Sequence, residues 1–152
     1  MLPVDLRETL AMTADAMRTA RDPWWVISSA AVALHGVTPI KVGDVDILAS
    51  MRDAREFMRL LGVVPAEDDA SSRFRSTVFG RWKMPPLVVE IMAGFQVATG
   101  AGWTAVQPRT RVPILVEGCV VYVTDRGELV EMLRLFGRPK DLKRVRLLTS
   151  QV

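Results

Sequence analysis

The chain has 152 residues, 20 basic and 17 acidic side chains, a net charge of +3 and 49% hydrophobic residues. That length suits one domain spanning residues 1–152 with a sizeable core, and the composition excludes a disordered chain. The mild positive charge fits a phosphate-bearing ligand as readily as a mixed solvated surface, and no lysine-rich run marks a nucleic-acid tail.

Cys119 is the only cysteine, so no internal disulfide can form and a reducing compartment is expected. It opens an apolar run, Cys119-Val120-Val121-Tyr122-Val123, where a buried structural thiol is expected. The N-terminal segment carries Asp5 and Glu8 and no apolar h-region, which argues against a signal peptide. No uninterrupted apolar stretch approaches the roughly 20 residues of a membrane span. A cytoplasmic protein is the expectation.

In chain order, Leu6, Leu10 and Met17 recur at helical intervals and predict an amphipathic helix over 5–21, stopped by Pro23. The aromatic and apolar run 24–28 predicts a buried strand. Residues 30–35 predict a short helix ended by Gly36. Residues 45–48 predict a second strand, and 53–61 a helix capped by Asp53 and ended by Gly62. The acidic, Ser-rich stretch 63–72 reads as a loop. Alternation over 74–79 predicts a strand, Pro85-Pro86 a turn and 87–92 another strand. The Gly- and Ala-rich stretch 93–108 carries no clear pattern. Strands follow at 112–116 and 119–123, joined by a Glu117-Gly118 turn. Asp125 then predicts the cap of a helix running to Leu135, ended near Gly137, and Asp141 the cap of a last helix to about Leu148. The order implies a mixed sheet with helices packed on it, an α/β (α+β) fold.

The sharpest chemical signal is Gly43-Asp44-Val45-Asp46-Ile47-Leu48. Side chains alternate along a strand, so Asp44 and Asp46 share a face, where they can hold one hard cation through oxygen ligands. Without a cation or a proton, two adjacent carboxylates repel. Glu90 is the one charge in Val88-Val89-Glu90-Ile91-Met92, and a charge in such a strand is costly unless paired, metal-bound or facing solvent. Three acids on neighbouring strands can hold one or two Mg²⁺ ions and position a nucleoside triphosphate. Each acid alone is explained as well by a solvent-facing strand. Ser28 and Ser29 stand at a strand end before a helix of small residues, where they either cap the helix or meet a phosphate.

Taken together, Trp25-Val26-Ile27-Ser28-Ser29, Ala33-Leu34-His35-Gly36-Val37, Gly43-Asp44-Val45-Asp46-Ile47 and Val89-Glu90-Ile91-Met92 resemble the minimal nucleotidyltransferases of the polymerase-beta-like superfamily. Within it, the chain is most similar to small prokaryotic proteins related to the AbiEii-type and aminoglycoside-type nucleotidyltransferases. Gly137-Arg138-Pro139-Lys140-Asp141-Leu142 is similar to a segment that often closes the domain in that group. The resemblance covers roughly 23–148. It implies a short mixed sheet flanked by helices and transfer of a nucleoside monophosphate from a triphosphate, ATP foremost, with release of pyrophosphate. It also implies Mg²⁺ or Mn²⁺ on Asp44 and Asp46, with Glu90 as third acid or general base, and Ser28 and Ser29 against the triphosphate. Three positions depart from the pattern: Ser28 replaces a glycine, Leu133 a lysine and Arg144 an aspartate. An alternative with the same fold is a catalytically inactive nucleotide-binding or interaction module.

Among basic residues, Lys41, Arg73 and Arg75 are the candidates for phosphate, with Arg81, Lys83 and Lys140 behind them; Arg73 and Arg75 are expected to share a strand face. His35, the only histidine, is expected to bond a carbonyl or support a helix end. Trp24 and Trp25 read as core, Trp82 and Trp103 as ligand or partner surface. The acceptor is not legible. So short a chain leaves little for an acceptor pocket, which points to a homodimer or a protein partner completing the site.

Overall fold

The computed structural model of the chain describes residues 2–67 and 73–150. Helix α1 (Val4–Ala16) turns Leu6, Leu10 and Ala14 into the core and passes into a 3₁₀ turn at Met17–Thr19. It stops short of the expected residue 21 because the backbone N–H groups of Arg21 and Asp22 are held by the Asp53 carboxylate. Strand β1 (Trp25–Ile27) leads directly into α2 (Ser28–Leu34), so Ser28 begins a helix rather than ending a strand. His35 then bonds the Thr124 carbonyl through Nε2 at 2.9 Å, as expected of it.

Strand β2 (Asp44–Leu48) is followed by α3 (Met51–Leu61). The cap of α3 is Ser50, whose Oγ accepts from the Asp53 amide at 3.2 Å. Asp53, the predicted cap, instead lies buried in the first turn and ties the helix to the chain before β1. Of the predicted 63–72 loop, residues 68–72 lie outside the described residues.

The alternation over 74–79 divides between two sheets: β3 (Phe74–Arg75) and β4 (Val78–Trp82) pair with different partners. Strand β5 (Val88–Ala93) ends at Gly94, whose φ of +63° suits glycine and whose missing Cβ leaves room for the Thr77 side chain. That bend sends the chain into β6 (Gln96–Thr99) and β7 (Gly102–Ala105), a hairpin in the stretch that carried no sequence signal.

Strands β8 (Val112–Val116) and β9 (Cys119–Val123) form the predicted hairpin, with Glu117 and Gly118 both at positive φ, as a tight primed turn requires. Helix α4 (Arg126–Phe136) is capped by Asp125, which accepts from the Glu128 amide at 2.7 Å, and ends at Gly137. Helix α5 (Pro139–Ser150) starts two residues before its predicted cap: Pro139 occupies the first helical position, and Asp141 reaches back to the Arg138 amide at 3.2 Å.

The principal sheet has the order β1-β2-β5-β4, with β2 and β5 parallel and the outer pairs antiparallel. Val45, Ile47, Val89 and Ile91 point to one face and are fully buried beneath α1 and α3. Each such side chain contributes roughly 1.5–3 kcal/mol of burial, which fixes the register and sends the alternate residues to the opposite face. The fold is thus α+β. Trp82, expected at the surface, is buried edge-on against Phe57, with ring centroids 5.5 Å apart. Trp103 is exposed, and Arg75 stacks on it. Cys119 is only half-buried: it packs against the core on one side and lines a surface cavity on the other. No helix among the described residues is long and apolar enough to cross a membrane.

Candidate active site

On the face opposite α1 and α3, the register sets one residue from each strand in a row: Ile27, Asp46, Glu90 and Arg81. Asp44 stands two residues before Asp46 on the same face. The alternation that buries Val45 and Ile47 is therefore what delivers both aspartates and Glu90 to a common side. Their carboxylate oxygens lie within 4.8 Å of one another, the one such acidic group among the described residues able to hold a metal ion.

The electrostatics follow from this crowding. Asp46 is pushed up to about 7, first by burial and then by the charge of Asp44, against a hydrogen bond from Ser28 and the fields of Arg138 and Arg144. Glu90 is likewise raised to about 7 by burial, by sharing a hydrogen bond with Asp44 and by both aspartate charges, with Arg81 opposing. Arg81 Nε lies 3.5 Å from Glu90. A hard dication would replace these shared protons as the source of neutralisation, and all-oxygen donors suit Mg²⁺ or Mn²⁺.

Ser28 is buried, donates to Asp46 and adopts φ +59°, a left-handed backbone unusual for a side-chain-bearing residue. The geometry accounts for the glycine expected at this position. Ser29 is buried one residue further into α2.

The phosphate candidates divide differently from expectation. Only Phe74 and Arg75 form strand β3, and Arg73 precedes it with its guanidinium bonded to the Phe136 carbonyl. Arg75 pairs with Gln96 and stacks on Trp103. Neither arginine lines the cavity beside the triad, and Lys41 is exposed in the loop before β2. The cations that do face the carboxylates are Arg81, Arg138 and Arg144. Arg138 and Arg144 are held by the fully buried Asp141, at 2.6 Å and 3.6 Å. Asp141 therefore pairs with these two and not with Lys140. Burial lowers the pKa of Arg144, while Asp141 and the two site aspartates oppose that shift. Leu133, where the related pattern has a lysine, is buried in the core. The signal for Arg138 was present in the Gly137-Arg138-Pro139-Lys140-Asp141 segment, but nothing local shows that the start of α5 reaches the far end of β2.

The four-stranded mixed sheet and the helices packed on it are the fold of solved nucleotidyltransferase structures. Solved structures bear the fold out. A Thermotoga maritima protein inferred to be a nucleotidyltransferase superposes with a TM-score of 0.77 at 22% identity, covering 100% of this chain and 97% of that one. The lincosamide antibiotic adenylyltransferase LnuA, solved with lincomycin, gives 0.60 at 13% identity over 94% and 96% of the two chains. ANT(2")-Ia, solved with adenylyl-2"-tobramycin, gives 0.58 at 11% identity over 97% and 89%. No protein-family model matches the chain, and no curated protein matches it in sequence.

Proposed function

We propose that the protein is a divalent-metal-dependent nucleotidyltransferase that moves a nucleoside monophosphate from a triphosphate, ATP foremost, to an acceptor hydroxyl. The observation that carries this reading is the convergence of Asp44, Asp46 and Glu90 on one face of the sheet. The nucleotidyltransferase fold of the structural neighbours supports it.

The donor set fits the metal. Mg²⁺ takes oxygen ligands at about 2.1 Å, so small side-chain rotations would bring the Asp44 and Asp46 oxygens, now within 4.8 Å of each other, onto one ion with Glu90 beside it. Asp44 and Asp46 would hold it, and a bound dication supplies charge neutralisation to the reacting phosphate. Ser28, bonded to Asp46, fixes that carboxylate and lies beside the triphosphate. Arg144 adds positive charge on the same side, and Asp141 positions it. Glu90, with an affinity for protons centred about 7, is suited to take the proton of the acceptor hydroxyl.

A second reading, a nucleotide-binding module without catalysis, is favoured by one specific feature. Arg144 places a cation where the related pattern has an acid, and its charge acts directly on both site aspartates. Melting with ATP and Mg²⁺ separates the readings from a fold without a ligand, because a ligand of the native state raises the midpoint. The expected shift disappears in Asp46→Asn. Pyrophosphate release with an acceptor then distinguishes enzyme from module. Absence of any shift with all four triphosphates, with Mg²⁺ and with Mn²⁺, overturns both.

A further inference from the structure

Beside the triad lies a cavity of about 260 Å³ whose walls differ sharply in character. One side is the charged row of Asp46, Glu90 and Arg81. The other is aromatic. Phe74 from β3, Phe95 from the bend after β5 and Phe136 from the end of α4 meet with ring centroids 5.3–5.8 Å apart. Arg138 lies over the Phe74 ring, its carbon 4.8 Å from the centroid, with Nε and Nη2 bonded to Asp141. Its Nη1 has no hydrogen-bond partner among the described residues.

The volume falls below the roughly 300–1,000 Å³ of sites for drug-sized ligands, so the cavity holds a fragment: one ring with small substituents. Aromatic walls favour a flat apolar body. Glu90 in the wall favours a hydroxyl, and an anchored guanidinium favours an anion. With Asp44 and Asp46 engaged at the metal, the fixed charges left in the cavity are two arginines against Glu90, which disfavours a polycation.

We propose that this cavity is the acceptor pocket and that its acceptor is a compact aromatic hydroxy acid, not a polyamine sugar of the kind seen with ANT(2")-Ia. The inference rests on the nucleotidyl-transfer reading and names the substrate class for it. The hydroxyl oxygen of the acid bonds to the α-phosphorus as the bond from that phosphorus to the bridging oxygen breaks. Pyrophosphate leaves with the electron pair, and the hydroxyl proton passes to the Glu90 carboxylate. The product is a nucleoside monophosphate ester of the hydroxy acid. A free acid is favoured over a protein tyrosine, because the cavity has room for the ring and little beyond it.

The test uses the full chain and two readouts. Melting with ATP and Mg²⁺ reports the nucleotide site. Ligand-observed NMR reports the cavity with 4-hydroxybenzoate, 4-hydroxybenzyl alcohol, tobramycin and an acetylated tyrosine amide as probes. The expected result is that 4-hydroxybenzoate binds at least about tenfold more tightly than the neutral alcohol, as loss of a charge-assisted bond implies, and drives pyrophosphate release. Arg138→Gln removes that preference. Ser76→Leu, which fills the cavity away from the triad, abolishes probe binding and keeps the ATP shift. The ATP arm therefore separates failure of this inference from failure of the function it rests on. Equal or tighter binding of tobramycin or the tyrosine amide, unchanged 4-hydroxybenzoate binding in Ser76→Leu, or no probe binding beside an intact ATP shift overturns it.

Discussion

Ser28 donates a hydrogen bond to Asp46 from a backbone held at φ +59°. The two facts oppose each other energetically. The left-handed conformation costs a side-chain-bearing residue roughly 1–2 kcal/mol, while a hydrogen bond to a charged group contributes about 1.5–3 kcal/mol. Ser28→Gly removes both and is expected to melt close to the parent. Ser28→Ala keeps the cost and loses the bond, and is expected to melt about 2–8 °C below Ser28→Gly, as roughly 1–2 kcal/mol implies for a chain of this size. Paired thermal melts settle it, and equal midpoints for the Gly and Ala variants would remove the strain from the account.

Asp46 and Glu90, both raised to about 7, set a pH dependence whose sign is fixed. A carboxyl with a raised folded-state pKa holds a proton that the unfolded chain releases near its ordinary value of about 4. The favourable contribution of this pair is therefore full below about 4 and is lost as the pH rises through 7. At the proposed site, Mg²⁺ would compete with those protons. The increase in melting temperature caused by ATP and Mg²⁺ is expected to be larger at pH 8 than at pH 5.5, with the change centred about 7. A shift of the same size at both pH values contradicts the placement of the ion on Asp46 with Glu90 beside it.

Asp141 is fully buried between Arg138 and Arg144. Replacing it with Asn leaves two arginines near Asp46 without their anchor. Breaking a buried charge network in this way costs about 3–5 kcal/mol, so Asp141→Asn is expected to shift the urea midpoint substantially. It should also weaken ATP binding. A variant as stable as the parent would show that the Asp141 network adds nothing to stability and that the Phe74 and Phe136 rings suffice to hold Arg138.

Glu128 does comparable work at a distance from the site. Its carboxylate accepts from the amides of Arg109 and Thr110, at 2.8 Å each, and from the Thr110 hydroxyl at 2.6 Å, pinning the chain before β8 to α4. Glu128→Ala leaves these donors without a partner at roughly 1–3 kcal/mol for each one that water cannot reach. A fall in stability of about 2–4 kcal/mol by urea denaturation is expected, with ATP binding in the cold preserved. Loss of nucleotide binding at full stability would place Glu128 in the site instead.

The acids were legible in the sequence for a simple reason. Asp44, Asp46 and Glu90 sit in strands whose other residues are apolar, and the two-residue period alone assigns their face. What the sequence hid were contacts made across long separations. Arg138 and Arg144 approach Asp46 only because α5 packs near α2. Asp53 carries every local mark of a helix cap, yet Ser50 caps the helix and Asp53 binds amides of Arg21 and Asp22, 32 and 31 residues away. The alternation from Phe74 to Phe79 is real, but Thr77 bends the strand between sheets, and periodicity carries no information about partner choice. Arg73 and Arg75 were drawn toward the phosphate by that same pattern, and the fold spends them on Phe136 and Trp103.

The parallel pairing of β2 with β5 joins Asp46 to a residue far along the chain, across α3, β3 and β4. Neither strand carries a competent ion site alone. A slip of one residue in β5 would turn Glu90 toward α1 and α3 and present Val89 or Ile91 to the cation in its place. On the proposed reading, ion affinity gauges correct strand alignment, and a lesion that loosens β5 is expected to weaken Mg²⁺ binding before the chain unfolds.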